Sequence, residues 1–122
     1  MDTLEARLPR MSLDLVSGYP RLTLHGECSA TAATELRERM ERLISRGCLA
    51  IMLDTQDVSF LDSEFYDTLV RAITRVREAG GAFVIIDQSP PVERMLKLMN
   101  LEQLSRVVST AGQAATYLSS RH

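Results

Sequence analysis

Cys48-Leu-Ala-Ile-Met-Leu53 and Ala82-Phe-Val-Ile-Ile86 are the two longest unbroken apolar runs in the chain. Each has the length of a strand. A continuous run, unlike an alternating one, marks a strand covered on both faces, as in a parallel sheet. The stretch between them has the other period. From Glu64 to Ala79, Phe65, Leu69, Ala72, Ile73 and Val76 recur at helical spacing, and Gly80-Gly81 stops the helix. Two parallel strands joined by a helix form a right-handed crossover unit. That unit sets the class: a layered α/β domain.

The pattern continues outward. Upstream, Ala33, Leu36, Met40, Leu43 and Ile44 stripe a helix of about 15 residues, capped by Ser29 or Thr31 and ended at Arg46-Gly47. Before it, Met11–Val16 and Arg21–His25 alternate with period two around Ser17-Gly-Tyr-Pro20. This is a β-hairpin, and Gly26 breaks the chain after it. Residues 54 to 60 read as a connection. Downstream, Ser89-Pro-Pro91 opens a helix with Val92, Met95, Leu96 and Met99 inward. Val107-Val108 is a short edge strand. Thr110-Ala-Gly-Gln113 has the form of a capping box, and Ala114, Ala115 and Leu118 follow it. The expected architecture is a mixed, mostly parallel sheet with an N-terminal β-hairpin and about four helices. Residues 11–119 form the domain, 1–10 an N-terminal extension and 120–122 a frayed C-terminus.

Composition fits this reading. The 122 residues suit one domain, 45% apolar and 25% charged. A net charge of -2, from 14 basic and 16 acidic residues, speaks against nucleic acid. No apolar run approaches the ~20 residues of a membrane helix, so direct membrane insertion is not expected. The N-terminus lacks a basic start followed by an apolar stretch, and a cytoplasmic location is the default expectation. Two cysteines, Cys28 and Cys48, are too few for a disulfide framework.

The sequence carries no recognisable catalytic set, metal site or cofactor motif. His25 and Cys28 are spaced His-x-x-Cys, without the further ligands that a metal needs. No third group orients His25 as a base. Asp54 follows a buried strand as a phospho-accepting aspartate would. However, no acidic pair accompanies it, and Lys97 lies inside a helix. Asp54 is therefore read as bonding loop amides. The informative segment is Asp54-Thr-Gln-Asp-Val-Ser-Phe-Leu-Asp-Ser-Glu-Phe-Tyr-Asp-Thr-Leu69. There a loop becomes a helix at Asp62-Ser63. Either residue can be the N-cap, and a phosphate on Ser63 would face free amides and the positive helix end.

Several motifs together resemble the STAS domain of bacterial anti-sigma-factor antagonists. They are Leu24-His-Gly-Glu27 leading into Ala32-Ala33 and Leu36, Ala50-Ile-Met-Leu-Asp54, Val58-Ser-Phe-Leu-Asp-Ser63 and Arg77-Glu-Ala-Gly-Gly81. Ser89-Pro-Pro-Val92 and Leu96-x-x-x-Asn100-Leu101 complete the series. The resemblance implies a regulatory module without catalysis of its own, which binds an anti-sigma factor that is also a serine kinase. By position, Ser63 is the phosphorylated serine and Asp62 the acid before it. Asp62, Ser63, Glu64, Tyr66 and Ser29 fall on the implied partner surface. Glu64-Phe65-Tyr66 replaces the small residues and glycine usual in the family, and Ser29 stands where an acid is common. Phe65 fits the core stripe, whereas Tyr66 lies off it and is expected exposed. The alternative implied role is a phosphorylation-independent accessory subunit of a transport complex. Homodimerisation is left open.

Overall fold

A computed structural model describes residues 11–87, 89–98, 100, 103 and 105–121. The chain runs β1 (Met11–Val16), β2 (Tyr19–Cys28), α1 (Ala30–Ser45), β3 (Ala50–Leu61), α2 (Ser63–Glu78), β4 (Ala82–Ile86), α3 (Pro90–Leu98), β5 (Arg106–Val108) and α4 (Ala111–Ser120). The five strands lie in chain order in one sheet. β1 is antiparallel to β2, and the other pairings are parallel. The expected mixed sheet, N-terminal hairpin and four helices are all present.

Strands added in one direction through crossovers of one hand put the intervening helices on one face. Residues of α1, α2 and α3 accordingly share one core cluster with Ile51, Leu53, Phe83 and Ile85. The alternate residues Met52, Val84 and Ile86 meet α4 through Ala114, Ala115 and Leu118 on the opposite face. This two-sided burial is what the unbroken apolar runs encode.

The hairpin turns through Ser17 and Gly18, both at positive φ, the two-residue loop whose twist matches its strands. Tyr19 and Pro20, read from sequence as turn, already belong to β2. Gly81 lies against the segment before β3, where a Cβ would collide with the Leu49 carbonyl.

Some sequence expectations are corrected. β2 does not end at His25, and Gly26 does not break it. β3 begins at Ala50, two residues late, and does not stop at Leu53. It absorbs the whole stretch read as a connection. Register shifts between Thr23 and His25 and between Gly26 and Glu27 let the pair continue to Cys28 and Leu61. These bulges destroy the period of two, so the distal half of β3 reads as loop. Leu13 and Leu15 alternate with Ser12 and Asp14 as expected, yet only Met11 on that side of β1 is buried. Ser119 and Ser120 close α4, so the helix runs one residue into the stretch read as frayed. The Tyr19 hydroxyl lies 3.1 Å from Ser119 Oγ, and Ser120 Oγ donates to the Tyr117 carbonyl at 2.9 Å. The residue 1–10 extension, Met99 and His122 lie outside the described residues.

Candidate functional site

β2 and β3 end together. The Asp62 N–H donates to the Cys28 carbonyl at 3.1 Å, tying the two strand ends. Ser29 and Asp62 follow immediately as the N-cap residues of α1 and α2, so two helix N-termini sit side by side at this end of the sheet. The local anchor is Phe65, fully buried in the core, which fixes the first turn of α2.

The cap is Asp62. Its carboxylate accepts from the Phe65 N–H at 2.9 Å, and its carbonyl accepts from the Tyr66 N–H at 3.0 Å. Ser63 is the first helical residue, exposed, with no hydrogen bond or ion pair to its side chain among the described residues. Glu64 is exposed beside it in the first turn. Ser29 is half-buried and makes no side-chain cap bond, so of the two cap candidates for α1 it holds the position by backbone alone, and Thr31 lies inside the helix. Tyr66 is half-buried against the core rather than exposed.

The sequence reading missed Phe60. It is 52% exposed, opposite Glu27 in the register. Gly26 pairs with Val58 and Glu27 with Phe60, leaving Ser59 as the extra residue. The bulge turns Phe60 outward three residues before Ser63. With residues 54–60 taken as a connection, no alternation could assign it a face. Ser89 stands just before α3, and its carbonyl accepts from the Glu93 N–H at 2.9 Å, as expected of the residue that opens this helix. It is buried, and its Oγ donates to the Val58 carbonyl at 2.7 Å, fastening the distal part of β3 to the start of α3.

Charge is distributed unevenly. Glu27, Asp57, Asp62 and Glu64 lie at the strand-end side, while Arg42, Arg75 and Arg77 lie in the last turns of α1 and α2. A phosphate on Ser63 would meet free amides at the helix end, but also a locally acidic surface.

Cys28 is buried in the core, whereas His25 is half-exposed beside Asp57, so the two do not converge. The structure does give His25 neighbours: Asp57 Oδ2 at 3.6 Å from Nδ1 and Ser12 Oγ at 3.4 Å from Nε2. In this Ser–His–Asp series the His25 and Asp57 side chains are 41% and 70% exposed, so neither is held in a water-excluded setting. Cys48 is half-buried against the core. Asp54 is buried mid-strand, where Oδ1 accepts from the Gln56 N–H at 3.1 Å and Arg21 lies at 3.7 Å. Among the described residues no three His, Cys, Asp or Glu side chains gather to hold a metal, and no helix is long and apolar enough to cross a membrane. Asp87, at the end of β4, accepts from the Ser89 N–H at 3.0 Å. Burial pushes its carboxyl above the usual carboxylate range.

Comparison with known proteins agrees with this geometry. The family model described as STAS domain matches residues 13–114. An anti-sigma F factor antagonist of Paenibacillus polymyxa is 26% identical over 96 residues, 78% of this chain and 82% of that protein. A Thermotoga maritima relative is 27% identical over 74 residues, 61% of this chain and 66% of that protein, just under two thirds of its length. Among solved structures, the Thermotoga maritima protein TM1081 superposes with a TM-score of 0.82 at 22% identity, covering 89% of this chain and 94% of that one. Unphosphorylated SpoIIAA, an anti-sigma factor antagonist, gives 0.70 at 18% identity, covering 88% and 94%. These two structural likenesses establish the fold.

Proposed function

The chain belongs to the STAS domain family, and on that premise we propose that it is a protein-binding regulatory module of the anti-sigma-factor-antagonist kind, without catalysis of its own. Its partner in this reading is an anti-sigma factor that is also a serine kinase, and phosphorylation of Ser63 ends the binding. The observation that carries the reading is the division of labour at the start of α2. Asp62 caps the helix, and Ser63 presents an exposed hydroxyl with no bond of its own among the described residues. A phosphate there leaves the cap intact. It adds about -1.5 to -2 charge to a surface that already carries Asp62 and Glu64. The change acts on the surface while the fold stays as it is. SpoIIAA, a structural neighbour, has been solved in a phosphorylated form as well as an unphosphorylated one, which supports reading this fold as a carrier of such a switch.

The contact surface in this proposal comprises Asp62, Ser63, Glu64 and Ser29, with Phe60 as the apolar anchor. Tyr66 contributes its exposed part. The test is the intact mass of the protein isolated from its own cells, with and without phosphatase, followed by localisation of the modified residue. One phosphatase-sensitive phosphate on Ser63 is expected. An unmodified Ser63 in protein that copurifies with a membrane permease would favour the accessory-subunit role.

A further inference from the structure

The two edges of the sheet are built differently. β5 is three residues long, the shortness by which many proteins blunt an edge. β1 is six residues long, pairs with β2 at six consecutive positions without a register shift, and has no strand on its outer side among the described residues. It carries none of the usual guards: no proline, no lysine and no bulge. Its single charge, Asp14, is already held by Arg21 through two hydrogen bonds at 2.7 and 3.0 Å. On the face that bears α1, Met11 is buried, and Arg39 Nη2 of α1 donates to its carbonyl at 3.3 Å. The cover stops there, leaving Leu13 47% and Leu15 68% exposed. An open edge and two adjacent bare leucines on one strand are the features of an unfinished sheet.

We propose that β1 is a homodimer interface, with two copies pairing antiparallel through β1 about a two-fold axis at Leu13. Such an axis makes the contact self-complementary and continues one five-stranded sheet into the next. The sequence selects the register. Directly opposite residues must share a face, so the axis passes through a residue and not between two. Centred on Leu13, the pairing sets Leu13 against its own copy and Met11 against the partner's Leu15. Ser12 then faces the partner's Asp14, a hydroxyl opposite a carboxylate. Centred on Asp14, it would set two carboxylates opposite each other, which is destabilising. Centred on Ser12, it would leave Leu15 unpaired with any residue of β1. Only the Leu13 register covers both leucines and separates the acids. The occupant is a second copy of this chain, and the inference does not depend on the switch proposed for Ser63.

The experiment is sedimentation equilibrium of the full chain over the micromolar to submillimolar range, with Leu13→Lys and Leu15→Lys beside wild type and circular dichroism as the fold control. The wild type is expected to show a concentration-dependent monomer–dimer equilibrium. Each lysine variant that keeps its fold should weaken association by more than about tenfold, since the change removes apolar cover from both copies at once. Register is read by mild oxidation in a Cys48→Ser background. Leu13→Cys should give a disulfide-linked dimer and Ser12→Cys should not. A wild type that stays monomeric at submillimolar concentration overturns the proposal. So does a dimer indifferent to both lysines, or cross-linking that favours Ser12→Cys.

Discussion

Asp62 and Ser63 are adjacent, and the sequence offers either as the helix cap. The structure separates their roles, because only the Asp62 carboxylate reaches the Phe65 amide. The expected stabilities follow. Asp62→Ala should cost about 1 kcal/mol, a typical cap loss, whereas Ser63→Ala should change stability by less than about 0.5 kcal/mol. Paired urea melts check this, and a larger loss for Ser63→Ala would return the cap to the serine. Phe60→Ser should leave the melt nearly unmoved, since half the ring is already in water, but should weaken partner binding. Asp87 supplies a pH test. Burial raises its carboxyl, so the folded state holds that proton more tightly than the unfolded chain does. Its favourable contribution is fully present below the ordinary aspartate range and is lost as pH rises through the raised value. Asp87→Asn keeps an acceptor for the Ser89 amide and removes the half-buried charge. It should raise the urea midpoint at neutral pH and leave it nearly unchanged in acid. An equal shift at both pH values would contradict this.

The elements that follow one clean period were legible in the sequence. The α2 stripe of Phe65, Leu69, Ala72, Ile73 and Val76 is buried in full, and β4 is buried along its whole length. Leu69→Ala, deep under α2, should therefore cost about 2–5 kcal/mol in denaturant melts, and an unshifted midpoint would contradict the packing. The capping box at Thr110 and Gln113 was equally readable, because both of its bonds are local. What stayed hidden depends on distant partners. The distal half of β3 is polar, and it is strand only because β2 lies beside it through two bulges. That extension turns Phe60 outward and brings the Cys28 carbonyl to Asp62. Ser89 opens α3 as its position suggests, but the acceptor of its hydroxyl, the Val58 carbonyl, lies 31 residues away. Tyr66 was misjudged because periodicity gives the angle of a side chain about the helix axis and says nothing of how far the core extends around it.

At the scale of the molecule, the topology collects the candidate site from parts remote in sequence. The ends of β2 and β3 bring Ser29, Phe60 and Ser63 to one side, and the arginines in the last turns of α1 and α2 lie at the other ends of those helices. A surface of this kind suits a partner with an apolar socket and basic surroundings, and added negative charge alters it without touching the core. Stability and affinity should then move independently at Ser63. Ser63→Asp adds charge favourable to the helix dipole and should keep or slightly raise stability, while mimicking the phosphate towards the partner. The most direct measurement is calorimetric titration of the proposed partner, an anti-sigma factor serine kinase, into wild type, Ser63→Ala and Ser63→Asp, each with a matched urea melt. The account predicts binding by wild type and Ser63→Ala, and binding weakened by at least about tenfold in a fully folded Ser63→Asp. Equal affinity for wild type and Ser63→Asp would contradict it.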